Sequence, residues 1–259
     1  MMLPDYEYKG LMARAWDALR GDTSQWSDRF FFREAIQRYG EPVLDVGCGT
    51  GRLLLDYLAQ NIDVDGVDNS PEMLALCRQK ARERGLRPRL YEQYMETLDL
   101  PRAYRTILIP SSSLQLITDA EMADRAMTRF WAHLEAGGAL VAPIMTLWRE
   151  GDSLESESER SAVRPEDGAT LRRIARSRYD PITECEHTED LYQVIVQNSV
   201  VAEERHRRSP ATRSYTQAQA RALFERAGFL EVDLYSGFTF APAAPEDPLF
   251  TAVGRRAQP

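Results

Sequence analysis

The sequence predicts an α/β fold: a mostly parallel sheet of seven strands with helices on both faces, and a small antiparallel β cap inserted after strand five. Three observations predict it. A glycine-rich turn at residues 42–51 joins a short apolar run to a helical pattern. Short apolar runs then alternate with helix-period segments up to about residue 145, and this pattern resumes after residue 215. Between these parts the chain turns polar and strand-like, without helical period. The division that follows is residues 1–146 and 215–259 as one unit with an N-terminal helical lid, and 147–214 as the insertion.

Composition sets the outer limits. The chain has 259 residues, 43% of them hydrophobic and 9% aromatic, enough for a sizeable core. No apolar run reaches the roughly 20 residues that span a bilayer, and residues 1–6 lack the basic and apolar regions of a signal peptide. The three cysteines, Cys48, Cys77 and Cys185, form no Cys-x-x-Cys pair. A reduced, cytoplasmic protein without a metal site is the simple expectation. The net charge of −8 repels polyanions on average and argues against nucleic acid.

In chain order, Leu11, Ala15, Ala18 and Leu19 give a first amphipathic helix, broken at residues 21–24. Phe30, Phe31, Ala35 and Ile36 give a second, closed by Gly40-Glu41-Pro42. Strand one ends in Asp45-Val46-Gly47-Cys48-Gly49-Thr50-Gly51. Glycine there permits φ > 0 and leaves the backbone open to a ligand at a helix N-terminus. A dinucleotide turn needs Gly-x-Gly-x-x-Gly; here Gly51 comes one residue early and Arg52 stands in its place. About twenty residues on, a second strand ends at Asp68, a carboxylate able to accept from both hydroxyls of a ribose. Asn69-Ser70-Pro71 follows, with a capping serine and a proline at the first helical position.

Asp45, Gly47, Gly49 and Gly51 together resemble motif I of the class I S-adenosylmethionine (SAM) methyltransferases. Asp68 to Leu74 resembles the segment after their second strand. The resemblance implies a Rossmann-like fold with SAM as cofactor and S-adenosyl-L-homocysteine as product. It also implies a cofactor site at Asp45, Gly47, Cys48, Gly49, Gly51, Asp68, Asn69 and Met73. N-terminal helices of the family lie over the cofactor, which points to Trp16, with Tyr8 and Trp26 as further candidates and Arg14 as a partner for a carboxylate.

The rest of the chain fits with two departures. A helix over residues 71–84 ends at Gly85, and Arg89 to Gln93 reads as strand three. The family carries an acid after it; Tyr94 stands there, leaving adenine recognition to the backbone around Tyr94 and Met95, to Glu96 if the register slips, or to apolar stacking. Strand four, Tyr104 to Ile109, has Arg105 where the family often has aspartate. It runs into Pro110-Ser111-Ser112-Ser113, where Ser111 is placed in the transfer pocket. The Asp/Asn-Pro-Pro-aromatic arrangement that holds a flipped base is missing. A helix over residues 119–135, with His133 as a structural residue, is stopped by Gly137-Gly138 before strand five.

Residues 149–167 read as a flexible charged loop or lid. Strand-like segments at 171–179, 190–198 and 200–208 suggest the antiparallel cap. Such an insertion resembles small-molecule N- and O-methyltransferases, including sugar N,N-dimethyltransferases, where the cap roofs the active site and mediates dimerisation. Thr216 then caps a helix ended by Gly228, followed by strands at 229–235 and 249–254.

The expected activity is transfer of a methyl group from the SAM sulfonium to N or O of a small-molecule acceptor. A non-catalytic SAM-binding module and a nucleotide-dependent oxidoreductase are the alternatives. A general base, if the acceptor needs one, is sought on the cap: His187, Tyr192 and His206 are the candidates, with Glu184 and Tyr215 behind them.

Overall fold

The computed structural model describes residues 8–164 and 166–258; the N-terminal segment in which a signal peptide was sought lies outside them. Strand β1 (Val43–Val46), β2 (Val64–Asp68) and β4 (Tyr104–Leu108) pair in parallel, with β3 (Arg89–Glu92) on the edge beside β2. β5 (Leu134–Met145) runs parallel to β4; β11 (Leu249–Arg255) and β10 (Glu231–Ser236) complete the sheet antiparallel, in the order β10-β11-β5-β4-β1-β2-β3. The central strands are buried almost throughout because helices cover both faces.

On one face α5 (Ala120–Ala132) and α6 (Gln217–Arg226) pack Phe130 and Phe224 against Leu44, Ile107 and Leu140. On the other, α2 (Ser27–Tyr39), α3 (Leu54–Ala59) and α4 (Pro71–Glu83) bring Phe32, Ile36, Leu54, Leu74 and Cys77 against Val43, Val64 and Val141. The buried carboxylate of Asp65 in β2 is met by Arg89 Nε at 2.5 Å and Tyr104 Oη at 3.0 Å, so its charge is compensated.

The chain leaves β1 toward β2 on one side and reaches β4 on the other. The strand order therefore reverses between β1 and β4, and a crevice opens beyond their carboxyl ends. The loops that follow these two strands, residues 47–53 and 109–112, form its walls.

A second sheet of four antiparallel strands is built from β6 (Glu155–Val163), β7 (Thr170–Asp180), β8 (Cys185–Val196) and β9 (Ser199–Arg213) in sequential order. Helix α1 (Gly10–Arg20) lies on it, with Leu11, Met12 and Ala15 packed against Ala169, Leu171, Tyr192 and Val194.

Two expectations are corrected. About half of the charged stretch expected as a loop is β6, an edge strand whose residues are nearly all exposed. With water on both faces it has no apolar alternation to display, and its glutamates pair across to β7, as Glu157 does with Arg176 at 2.9 Å. Strand five starts earlier than Gly137-Gly138 suggested: α5 ends at Ala132 and Leu134 already pairs with Tyr104. The glycines sit in a bulge between the Tyr104 and Thr106 pairings, where a Cβ on Gly138 would stand 2.8 Å from the Arg105 carbonyl oxygen. His133 is structural, its Nε2 accepting from Leu100 N at 2.9 Å while Nδ1 faces Arg129 O at 2.8 Å. Among the described residues no helix is long and apolar enough to cross a membrane.

Candidate active site

The glycine loop takes its shape from three left-handed glycines, Gly47, Gly49 and Gly51, with φ of +68°, +55° and +84°. The N–H groups of Gly47 and Cys48 both donate to Val67 O, at 2.8 and 3.1 Å, folding the loop over the end of β2. A Cβ on Gly47 would come within 3.0 Å of Ser113 Oγ, and one on Gly49 within 3.3 Å of Met73 Cε. Both glycines line the crevice.

Gly51 does not. It faces the interior, where a Cβ would lie 2.7 Å from Cys77 Sγ and 2.8 Å from Leu55 Cγ. Its part is to let the loop settle on α3 and α4. Position in the motif alone could not separate these two uses of glycine.

Asp68 closes β2 and ties two segments together. Its Oδ2 accepts from Gly49 N at 2.8 Å and its Oδ1 from Ser70 N at 2.9 Å. Ser70 Oγ in turn accepts from Met73 N at 3.1 Å, capping α4. Burial raises the Asp68 carboxyl above its usual range, and the backbone donors from Ser70 and Gly49 oppose the shift. Asn69 and Met73 line the cleft beside it.

Asp45 also lines the cleft, 1% exposed, its Oδ1 buried without a hydrogen-bond partner. Burial pushes its carboxyl up to about 7; Arg52 works against that shift and Asp68 adds to it. Arg52 Nη2 meets Asp28 at 2.5 Å. Arg20 lies over the Trp16 ring at 4.0 Å from the centroid and has no carboxylate within ion-pair distance among the described residues. Burial lowers its pKa, and the like charge of Arg52 lowers it further. Trp16, Arg20, Arg52 and Tyr8 all line the cleft.

Arg14 does not take the role expected of it. It is exposed and turns its Nε to Gly10 O at 3.2 Å. Six residues on, at roughly 100° per residue, Arg20 projects from a different face of α1 and reaches the cleft instead. The sequence reading missed it.

Beyond Asp68 the cleft is bordered by Tyr94, Met95 and Glu96, the last 8% exposed. Its far wall is Pro110, Ser111 and Ser113, followed by residues 116–119 and Met122. Ser111 and Ser112 both have φ of +55°, a left-handed conformation that serine rarely adopts and that marks the end of β4 as strained at the cleft. The empty volume, mouth and adjoining solvent included, is about 1420 Å³.

The cap residues proposed as bases lie elsewhere. His187 pairs its Nδ1 with Ser209 Oγ at 2.7 Å. Tyr192 is buried between the cap and α1, and the His206 ring stands edge-on to it, centroids 5.5 Å apart. Glu184 accepts from Gln219 Nε2 at 2.9 Å, and Tyr215 is in the core. None of the five lines the cleft; Arg208 is the one cap residue that does, among the described residues. Alternation along β8 and β9 sends each side chain to one face or the other, and sequence without register leaves that choice open.

An open α/β sheet with a ligand crevice at its switch point, walled by a glycine loop and two strand-end segments, defines the class of protein. Within it, residues 43–138 match the family model described as a methyltransferase domain. The solved structures it resembles include a SAM-dependent methyltransferase from Clostridium acetobutylicum (TM-score 0.74, 19% identity, 94% of this chain and 96% of that one). A sugar N-methyltransferase from Streptoalloteichus has TM-score 0.73 and 23% identity over 100% and 99% of the two chains. These likenesses show the Rossmann-like fold and its cap.

Among curated proteins, a dTDP-3-amino-3,4,6-trideoxy-alpha-D-glucopyranose N,N-dimethyltransferase from Streptomyces venezuelae is 29% identical over 52% of this chain and 54% of its own. A dTDP-3-amino-3,6-dideoxy-alpha-D-glucopyranose N,N-dimethyltransferase from Streptomyces fradiae is 26% identical over 64% and 76%. The chain spans about half the length of the first curated relatives it matches.

Proposed function

We propose that the chain is a SAM-dependent methyltransferase acting on a small-molecule acceptor, and that the acceptor atom is an amine nitrogen. The observation that carries the reading is a cleft lined both by Asp45, a buried carboxylate whose Oδ1 has no hydrogen-bond partner, and by Arg20, which has no carboxylate within ion-pair distance among the described residues. Asp45 and Arg20 together suit the ammonium and carboxylate of an amino-acid moiety. Asp68 suits a ribose, and the walls at Tyr94 and Met95 suit a flat base. SAM carries all of these groups.

A dinucleotide fits less well, because its pyrophosphate would lie by the glycine loop near the Asp45 carboxylate, and like charges in a buried site repel. A binding module without catalysis needs no space past the cofactor, whereas this cleft continues along Ser111, residues 116–119 and Met122 to Arg208.

The sulfonium supplies a methyl group already activated for displacement. What the chain contributes is alignment and exclusion of water. None of the three histidines lines the cleft. A neutral amine attacks without first losing a proton and sheds one afterwards, which the Glu96 or Asp119 carboxylate at the cleft can take. A hydroxyl acceptor needs a base near neutrality during attack. The N,N-dimethyltransferase relatives support the amine reading. The proposal extends to a cytoplasmic protein whose acceptor is neither nucleic acid nor membrane, and to a homodimer formed through the cap.

The test is a tracer screen with methyl-labelled SAM against amines, amino sugars and phenols. Label appearing in an amine supports the reading. Label confined to phenols overturns the choice of nitrogen, and SAH binding without any incorporation favours the binding module.

A further inference from the structure

The N-terminus of α1 has no cap from its own sequence: Lys9 precedes it and offers no side-chain acceptor. Its free N–H groups are taken instead by two carboxylates from distant parts of the chain. Gly10 N donates to Glu72 Oε2 at 2.9 Å, and Leu11 N donates to Glu204 Oε2 at 2.7 Å. Glu72 belongs to the first turn of α4, beside the crevice; Glu204 belongs to β9 of the cap. Both place negative charge at a helix N-terminus, where the dipole favours it.

Residue 10 is a glycine with φ of +56°, and a Cβ there would overlap the Glu204 carboxylate. The approach of Glu204 thus depends on a bare backbone at that position. His206 Nε2 lies 3.0 Å from Glu204 Oε1, off the line of a hydrogen bond, and its ring backs onto Tyr192. At its other end α1 is latched to the crevice: Asp17 accepts from Thr50 Oγ1 at 2.7 Å and pairs with Lys80 at 3.0 Å. Between these two attachments α1 presents Trp16 to the cleft, and Arg20 ends the helix there.

We propose that Glu204 is a positioning residue: from the cap it anchors the start of α1, and so sets how tightly Trp16 and Arg20 close over the cofactor. This rests on the methyltransferase reading for the identity of the ligand, but not for the anchoring itself. The cap, which touches the cleft through Arg208, then acts on cofactor retention through a helix that belongs to neither sheet. Substitutions on β9 would alter SAM affinity without touching SAM.

The experiment compares the full chain with Glu204→Ala, Glu204→Gln and Gly10→Ala by hydrogen exchange without ligand and by titration with SAH. Losing a helix cap predicts about tenfold weaker SAH binding in Glu204→Ala, and faster exchange confined to the first turn of α1 while β7 and β8 stay protected. Glu204→Gln, which keeps an acceptor, stays within about threefold of wild type. In turnover, KM for SAM rises while kcat changes less than about threefold. Should Glu204→Ala fail to fold, Gly10→Ala breaks the same contact from the helix side and predicts the same loosening. Unchanged exchange in α1 with unchanged SAH affinity, in whichever of these two variants folds, overturns the proposal. If the wild-type protein binds no SAH, the cofactor reading falls, and the exchange comparison still decides whether Glu204 holds α1.

Discussion

Gly49 N–H donates to Asp68 Oδ2 at 2.8 Å, so the carboxylate at the end of β2 holds the glycine loop as well as facing the cleft. Asp68→Ala removes both functions. It is expected to weaken SAH binding by roughly 1–3 kcal/mol, the scale of hydrogen bonds to a charged group. Titration calorimetry on the folded variant reads this directly, and an unchanged affinity refutes the assignment.

Gly49 and Gly51 separate binding from stability. Gly49→Val places methyl groups at the cleft and is expected to abolish SAH uptake, with a Tm loss from its φ of +55° alone. Gly51→Val drives its side chain into Cys77 and Leu55, with an overpacking cost of about 1–3 kcal/mol before the unfavourable φ is counted. Thermal melts of the pair should show the larger Tm loss in Gly51→Val, where overpacking adds to the unfavourable φ; an equal or smaller loss there would contradict the geometry.

Asp45 predicts a pH signature. Its carboxyl is held up at about 7 in the ligand-free protein, chiefly by burial. A raised carboxyl contributes stability that is present below its unfolded value of about 3.9 and is lost as pH rises through about 7. An ammonium bound beside it favours the carboxylate, so cofactor binding near pH 6 should release a proton and binding near pH 8 should not. Calorimetry in buffers of different ionisation enthalpy counts that proton. Its persistence in Asp45→Asn would assign it to another group.

His187→Ala tests the cap by its lack of effect. The ring is bound to Ser209 away from the cleft, so kcat should stay within about twofold of wild type, about 0.4 kcal/mol in the barrier. A hundredfold loss would restore His187 as the base.

What could be read from the sequence, and what could not, follows physical lines. The apolar strands, the capped start of α4 and the glycine loop announce themselves because each depends on local chemistry: burial, a serine at an N-cap, φ > 0. Eleven of the twelve residues assigned to the cofactor line the cleft, and Gly51, the exception, packs inward. The candidates on β8 and β9 do not line the cleft, and the sequence could not place them because strand register is set by pairing partners far along the chain. Arg20 and Glu204 escaped notice because their significance lies in contacts between α1 and segments remote from it. β6 was obscured by exposure on both faces.

The account depends above all on the crevice taking an adenosyl amino acid, and titration of the purified chain with S-adenosyl-L-homocysteine tests that most directly. Saturable binding at one site per chain, lost in Gly49→Val, is the predicted result. A correctly folded wild-type chain that gives no binding would contradict it.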